Sequence, residues 1–188
     1  MNSAAAKSVM RDKVRRARIS KDCRSENAQI SGHLVKFLRD YHARAVAAYA
    51  PLPHEPGFDF VAPLAAALEQ LWLPRVAQRH QLRWGLYQGP ASLEKSSCGI
   101  REPRLATRDV AVLGELDAVV VPGLSYSPSG ERLGQGGGFY DRALADRPTL
   151  LIGVCFASEV QPIVVEAHDC RVDIILTENG TVDLRCES

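Results

Sequence analysis

A glycine-rich segment, residues 121–142, contains the residue types that bind phosphate groups. Four of the five residues at 134–138 are glycine, which permits positive φ angles and close backbone approach to a ligand. Arg132 and Arg142 flank these glycines, and two guanidinium groups can bind phosphate oxygens through paired hydrogen bonds. Asp141 could hold a magnesium ion that the same phosphates bind. The segment therefore predicts a site for a phosphorylated ligand.

The glycine cluster does not match the common phosphate-binding motifs. It contains neither G-x-x-x-x-G-K-[ST] nor a complete G-x-G-x-x-G, and a glycine cluster by itself is also typical of a surface turn. The segment, however, leaves a predicted strand and enters a predicted helix. Ligands of α/β proteins bind beyond the carboxyl ends of strands, so this context favours a binding site.

Alternating strand and helix patterns surround the segment and predict the elements that position it. Apolar runs of strand length, or alternating patterns, predict strands at 44–50, 71–77, 81–88, 117–122, 149–156 and 172–177. Helical spacing of apolar residues predicts helices at 5–18, around 30–41, at 59–68 with Asp59 as its cap, and at 140–146. Strands this apolar are usually covered on both faces. We expect one α/β domain over residues 1–188, a three-layer α/β/α, Rossmann-like fold with a mostly parallel sheet.

Composition and charge exclude several classes of protein. The 188 residues hold 23 Lys and Arg against 22 Asp and Glu, a formal net charge of +1, which argues against a basic nucleic-acid coat protein. The five cysteines are odd in number and lack C-x-x-C spacing, which argues against a zinc knuckle. The apolar runs are too short to span a membrane, and a secretory signal is not evident. We expect a reduced, cytoplasmic protein.

The first 24 residues are basic, with eight Lys and Arg. This pattern leaves a solvated helix face, a mitochondrial presequence, a nucleic-acid arm and a phosphate-binding helix as alternatives. Lys13, Arg15, Arg16 and Arg18 are expected at the surface.

Several motifs together resemble one family. The string R-L-G-Q-G-G-G-F-Y-D-R at 132–142, with P-G upstream at 122–123, is similar to the R-L-G-x-G-x-G-[FY]-Y-D motif of the 5-formyltetrahydrofolate cyclo-ligases. A second block at 153–178 resembles that family's succession of G, Q-P, H-D, V-D and T-E. Weaker matches are K-S-V-M-R at 7–11, Tyr49 with Glu55, L-P-R-V at 73–76 and I-R-E-P at 100–103. The resemblance covers about residues 7 to 178.

The resemblance implies an enzyme that converts 5-formyltetrahydrofolate to 5,10-methenyltetrahydrofolate, consumes ATP with Mg²⁺, and releases ADP and phosphate through a phosphorylated formyl intermediate. Two alternatives stay open: a non-catalytic folate- or nucleotide-binding module, and a related ligase acting on another formylated substrate. The second is motivated by the turn E-P-G-F-D at 55–59, which replaces the family's E-[IV]-x-[TP]. The implied partners are small molecules, without nucleic acid or membrane, and we expect a monomer.

The resemblance also assigns residues. It implies that the nucleotide is bound by Lys7, Arg11, Arg132, Leu133, Gly134, Gln135, Gly136, Gly137, Gly138, Phe139 and Tyr140. The resemblance implies that Arg132 and Tyr140 are catalytic and that Asp141 and Asp169 bind Mg²⁺. The folate would contact Ala50, Glu55, Trp84, Phe139 and Tyr140.

Several of these residues also have structural interpretations. Glu55 could be an exposed turn acid, Asp169 a loop residue and Trp84 a half-buried strand aromatic. His168 is expected to be structural, and Cys155 and Cys170 to be buried thiols. Phe139 stands where the family often has Tyr, so stacking is retained without a hydroxyl contact. Some members carry Lys at the position of Gly137, a charge that this loop lacks.

Overall fold

The computed structural model describes residues 3–78, 81–97, 99–104, 106–146, 149–166 and 169–185. The helices are α1 (Ser3–Ile19), α2 (Arg24–Asp40), α3 (Val61–Ala67) and α4 (Phe139–Ala143). The strands are β1 (Ala45–Ala47), β2 (Gln70–Val76), β3 (Leu82–Leu86), β4 (Leu93–Lys95), β5 (Arg101–Pro103), β6 (Thr107–Arg108), β7 (Ala118–Pro122), β8 (Ser125–Tyr126), β9 (Arg132–Leu133), β10 (Leu150–Val154), β11 (Ile174–Thr177) and β12 (Gly180–Asp183).

One eight-stranded sheet, in the order β12-β11-β10-β7-β1-β2-β3-β6, forms the centre of the fold. The five strands from β11 to β2 pair in parallel, while β12 at one edge and β3 and β6 at the other pair antiparallel. Two short ribbons, β4–β5 and β8–β9, lie outside it. The carboxyl ends of the neighbouring strands β7, β1 and β2 therefore meet at one edge of the sheet.

Alternate residues of the central strands fill two separate cores. Val120 and Ile152 belong to the core under α2 and α3, whereas Val119 and Leu151 face the opposite core, which α4 and the 3₁₀ segment Val110–Glu115 cover. This arrangement confirms the predicted three-layer α/β/α class with a mostly parallel sheet. The second helical layer is thin because α4 has only five residues.

Helix α1 packs on the loops that follow β7 rather than on the sheet. Val14 forms a small apolar cluster with Leu124 and Leu133. Arg18 is only 5% exposed and forms a salt bridge with Glu159, with 2.7 Å between Arg18 Nε and Glu159 Oε1. The surface position predicted for Arg18 is therefore wrong. Sequence spacing alone does not reveal that a basic residue on this face meets a buried carboxylate.

Most predicted elements are confirmed, with three corrections. Helix α3 begins after Phe60 without a side-chain cap, so the capping role predicted for Asp59, whose φ is +74°, is wrong. Between residues 89 and 109, where no strand is predicted, the structure has β4, β5 and β6. The helix predicted at 140–146 ends at Ala143. Among the helices that the structure describes, none has the length and apolar character needed to cross a bilayer.

Candidate functional site

Two adjoining cavities open at the carboxyl ends of β7, β1 and β2, the edge at which α/β proteins bind ligands. The first, called here the apolar cavity, has a volume of about 270 Å³. Its apolar walls come from Ala50, Pro74, Val76, Leu82, Ile100 and Phe139. The lining also includes Tyr49, Pro122, Gly123 and the glycine loop, and Glu55, Glu102, Arg132 and Tyr140 supply polar atoms. Such a cavity suits a flat, largely apolar molecule with a few polar edges.

The second, called here the cationic cavity, has a volume of about 330 Å³. Lys7 and Arg11 of α1 and Arg142 of α4 line it, together with the carboxylates of Glu166 and Asp169. Arg132, Gly134, Gly138 and Asp141 line both cavities. The glycine loop is thus a common wall between an apolar compartment and a compartment with converging positive charges.

Arg132 is the buried cation of this common wall, with 4% of the residue exposed. Its Nη2 donates to Asp141 Oδ1 at 2.5 Å, and its Nη1 donates to the Pro122 carbonyl at 3.1 Å. Its Nε is buried and has no hydrogen-bond partner in the described parts of the chain. Burial disfavours the charge, but Asp141 outweighs that effect and raises the pKa of Arg132. A ligand oxygen is the natural partner for the remaining N–H.

Tyr140 lies beside Arg132 in the same wall, with its ring centroid 5.8 Å from the guanidinium carbon. The hydroxyl is buried and lacks a hydrogen-bond partner among the residues described. Burial raises the pKa of Tyr140, so the hydroxyl stays protonated at neutral pH and can donate a hydrogen bond. Two unpartnered buried donors in one wall indicate a site built for an electron-rich ligand group.

Side chains of α1 hold the glycine loop in place. Arg11 Nε donates to the Gly134 carbonyl at 2.9 Å, and Arg15 Nη2 donates to Gln135 Oε1 at 2.8 Å. Arg15 therefore contacts the loop, although it remains partly exposed as predicted. A Cβ on Gly134 would lie 2.7 Å from Arg132 Nη1, which explains why this position needs glycine. Helix α1 thus fixes the loop from the outside while Arg132 fills the space beneath it.

Lys7 is 5% exposed and lies between two carboxylates. Its Nζ is 2.6 Å from Glu166 Oε2 and 2.7 Å from Asp169 Oδ2. Burial works against the ammonium, yet the hydrogen bonds to Asp169 and Glu166 prevail and raise the pKa of Lys7. The ammonium is therefore charged and fixed at the wall of the cationic cavity.

Glu55 lines the apolar cavity from within a tight turn. Its Oε2 accepts a hydrogen bond from the Leu52 amide at 2.9 Å, and Tyr49 Oη donates to the Pro56 carbonyl at 3.0 Å. The unusual turn at 55–59 therefore still directs Glu55 to the cavity. Burial raises the pKa of Glu55 above its usual 4.5.

The two predicted magnesium ligands both line the cationic cavity. Asp141 Oδ1 accepts a hydrogen bond from Arg132 Nη2. Both oxygens of Asp169 accept from Lys7, and Oδ2 also accepts from the Glu166 amide. No cluster of three His, Cys, Asp or Glu side chains suited to a metal occurs in the described ranges. Two carboxylates are nevertheless compatible with Mg²⁺, which takes one or two protein carboxylates together with phosphate oxygens where a phosphate is bound.

The structure brings together every predicted site residue except Trp84. The lining of the cationic cavity includes Lys7, Arg11, Leu133, Gly136 and Asp169, and that of the apolar cavity includes Ala50, Glu55, Gln135, Gly137, Phe139 and Tyr140. Trp84 is fully buried and packs edge-on against Tyr140, with 6.2 Å between ring centroids. It supports the wall rather than forming it, because β3 directs it into the core beneath the sheet.

Cys155 and Cys170 are expected to be buried thiols, and His168 is expected to be structural. Cys155 is buried, and burial raises its pKa, so it is not a reactive thiolate; Cys170 is buried as well. His168, Cys98 and Cys186 lie outside the described residues. Sequence reasoning missed Glu102, Arg18 and Glu166 as parts of the site and its support. For Glu102 a signal existed, the I-R-E-P string at 100–103.

Comparisons with known proteins agree on one family. The model of the 5-formyltetrahydrofolate cyclo-ligase family matches residues 3–178. A 5-formyltetrahydrofolate cyclo-ligase of Mycolicibacterium smegmatis is 37% identical over 155 residues, which are 76% of this chain and 78% of that protein. The NMR structure of Aquifex aeolicus 5,10-methenyltetrahydrofolate synthetase superposes with a TM-score of 0.78 at 28% identity, covering 95% of this chain and 93% of that one.

A 5,10-methenyltetrahydrofolate synthetase from Mycoplasma pneumoniae shares the fold, with a TM-score of 0.72 at 20% identity over 92% of this chain and 98% of that one. The motif order, the fold and the match over nearly the whole chain thus agree. The chain belongs to the 5-formyltetrahydrofolate cyclo-ligase family.

Proposed function

We propose that this protein converts 5-formyltetrahydrofolate to 5,10-methenyltetrahydrofolate at the expense of Mg-ATP, releasing ADP and phosphate. The observation that carries the proposal is the common wall. Arg132, Gly134, Gly138 and Asp141 line both the apolar cavity and the cationic cavity. A folate ring in the first and a triphosphate in the second would meet at Arg132 and the glycine loop.

The chemistry requires such a meeting point. The formyl oxygen is a poor leaving group, and the folate nitrogen N10 is a poor nucleophile toward an amide. Transfer of the γ-phosphoryl group to the formyl oxygen converts it into a phosphate leaving group. N10 then attacks the formyl carbon, loses its proton, and expels phosphate as the five-membered ring closes. The protein's tasks are to position two substrates and to stabilise the transferring charge.

Several residues of the two cavities would perform these tasks. Lys7, Arg11 and Arg142 would neutralise the triphosphate in the cationic cavity, with Lys acting as a point charge and Arg as a bidentate donor. Arg132 Nε and the Tyr140 hydroxyl, both buried and unpartnered among described residues, would donate to oxygens at the reacting end. Phe139 would stack on the folate.

Glu55 would bind the folate ring. It would accept the two N–H groups on the aminopyrimidinone edge of the ring, since an ionised carboxylate is an acceptor-only group. The Leu52 amide already orients this carboxylate toward the cavity. The altered turn at 55–59 therefore still leaves Glu55 in place to bind a folate ring.

Asp141 and Asp169 would hold Mg²⁺, which neutralises phosphate charge when bound. The free thiols of Cys23 and Cys155 support action in a reducing compartment such as the cytoplasm.

The test is a spectroscopic assay with purified protein, 5-formyltetrahydrofolate and Mg²⁺, with and without ATP. We expect methenyltetrahydrofolate absorbance to grow only when ATP is present. Ligand-induced stabilisation without turnover would instead indicate a non-catalytic binding module. Preference for another compound in a panel of formylated substrates would indicate a related ligase.

A further inference from the structure

Glu102 is a buried carboxylate in the apolar cavity that the mechanism above does not use. It is 6% exposed and lies on β5, beside the apolar wall residues Val76 and Ile100. The one side-chain hydrogen bond that Glu102 makes among the described residues is long, 3.4 Å from the Val76 amide to Oε1. No salt bridge to Glu102 is present in the parts of the chain that the structure describes. Burying a carboxylate costs free energy unless hydrogen bonds or an ion pair replace its contacts with water, and Glu102 has few of these.

The β4–β5 ribbon adds to this cost. Glu94 lies directly opposite Glu102 in the antiparallel register, and like charges in such pairs destabilise a sheet. The nearby cation, Arg75, binds Glu94 with 2.5 Å between Nη1 and Oε1 and donates to the Pro103 carbonyl at 2.6 Å. Arg75 therefore fixes the ribbon without neutralising Glu102. Local folding does not account for a charge at this position, whereas a ligand in the cavity does.

The position of Glu102 indicates which part of the ligand it meets. Val76, its hydrogen-bond partner, is 49% exposed, so this end of the cavity is its mouth. Glu55 and Glu102 arise from different segments of the lining, the turn after β1 and strand β5. If Glu55 holds the aminopyrimidinone edge, the linker nitrogen N10 and the aryl tail must pass toward the mouth, near Glu102.

We propose that Glu102 accepts a hydrogen bond from N10–H and stabilises the positive charge that forms during ring closure. The inference rests on the proposed function. In that step the N10–C bond forms, the C–O bond to phosphate breaks, and the N10 proton passes to water. The neutral formamide thereby becomes an amidinium cation shared by N5, carbon and N10. A fixed, buried carboxylate stabilises this cation more than it stabilises the neutral substrate.

The test uses three variants of Glu102 and one matched control. Glu102→Gln keeps an acceptor oxygen but removes the charge, Glu102→Leu removes both, and Glu102→Asp keeps the charge. Glu94→Gln is the control, because it removes the same charge from the opposite residue of the same ribbon, outside the cavity. We measure kcat, the KM for 5-formyltetrahydrofolate and the melting temperature of each protein.

We expect Glu102→Gln to lower kcat about tenfold with KM within about twofold of wild type, because only the cationic state loses an interaction. Glu102→Leu lowers kcat and also raises KM, Glu102→Asp keeps most of kcat, and Glu94→Gln resembles wild type. The melting temperature of Glu102→Gln equals or exceeds that of wild type, since the charge of a buried carboxylate and its like-charge pairing with the exposed Glu94 are removed.

Wild-type kcat in Glu102→Gln would overturn the inference and leave the proposed function standing. A lowered melting temperature with kcat lost only in proportion to unfolded protein would assign Glu102 a structural role and overturn it as well. An inactive wild-type protein would overturn the proposed function, and the inference with it.

Discussion

Arg132 and Asp141 form a charge-assisted hydrogen bond across the glycine loop, with Arg132 Nη2 2.5 Å from Asp141 Oδ1. The arginine side chain is 4% exposed and that of the aspartate 23%. The pair therefore joins strand β9 to helix α4 across the loop, beside the buried Arg132 Nε, which has no hydrogen-bond partner among the described residues.

Loss of either member of this pair should reduce turnover. Arg132→Ala and Asp141→Ala are each expected to lower kcat/KM at least about tenfold, or about 1.4 kcal/mol, because positioned charge is lost from the common wall. Arg132→Ala also leaves the Pro122 carbonyl without its donor, so it should lower the melting temperature further than Asp141→Ala does. Arg44→Ala, in the exposed pair with Glu69, is the control. Wild-type rates in both site variants would show that the loop is misassigned.

Asp169 has two candidate roles, orienting Lys7 and holding Mg²⁺. Lys7→Met should raise the KM for ATP, since the positioned ammonium is lost. If Asp169 acts by orienting Lys7, Asp169→Asn adds little in the Lys7→Met background, as expected for residues that act as a unit. If Asp169 binds the metal, the double variant is worse than either single variant and needs more Mg²⁺. The activity of the wild type, Lys7→Met, Asp169→Asn and the double variant, measured as Mg²⁺ is titrated, separates the two roles.

Gly134 should not tolerate a side chain. Gly134→Ala would place Cβ 2.7 Å from Arg132 Nη1 and displace the guanidinium, so we expect kcat to fall with little loss of folding. Gly32→Ala is the matched control, because nothing lies within 4 Å of the added Cβ. That change removes a helical glycine and should stabilise the protein by about 0.5–1 kcal/mol. Unchanged kcat in Gly134→Ala would show that the position of Arg132 is not critical.

Folate binding should weaken in acid because Glu55 must be ionised to accept N–H groups. Burial raises the pKa of Glu55 above 4.5, so affinity is complete well above that value and falls as the pH drops through the raised pKa. The folded state also holds this proton more tightly than the unfolded chain does. The contribution of Glu55 to stability therefore decreases as the pH rises through the same window.

Equilibrium binding of the folate without ATP, measured across this range, tests the Glu55 prediction. In Glu55→Gln the profile should lose this step and the affinity should be low throughout. If the affinity of Glu55→Gln fell with pH as that of the wild type does, the titrating group would be a residue other than Glu55.

The buried pair of Arg18 and Glu159 should contribute to the stability of the fold rather than to catalysis. Arg18 Nη2 also donates to the Gly123 carbonyl at 2.8 Å, so the pair joins α1 to the end of β7. Arg18→Met leaves Glu159 buried and unpaired, at an expected cost of about 3 kcal/mol in unfolding free energy. Lys36→Met, in an exposed pair with Asp40, should have no measurable effect. Denaturant titration of both variants checks this, and equal stability would contradict it.

The sheet and the glycine loop could be predicted because their signals are local. The runs at 117–122 and 149–156 are apolar throughout, and the R-L-G-Q-G-G-G-F-Y-D-R string is contiguous. The predicted position of Arg18 failed for the opposite reason. Its partner Glu159 is 141 positions away, and only the folded chain brings the two together.

Supporting roles were the least predictable part of the site. Trp84 is an aromatic residue near the cavity, but whether it faces the ligand or lies behind Tyr140 depends on how β3 aligns with the loop. Glu102 looks like an ordinary charged strand residue until β5 places it in the cavity wall. Such roles arise from pairing register and packing, which a single sequence does not specify.

The central claim is that the two cavities serve one coupled reaction across their common wall. Its most direct measurement is the molar ratio of methenyltetrahydrofolate formed to phosphate released when the purified protein meets 5-formyltetrahydrofolate and Mg-ATP. We predict a ratio of about one, with no product when ATP is left out and little phosphate release when the folate is left out. Product formation that does not depend on ATP, or phosphate release that does not depend on the folate, would contradict the account.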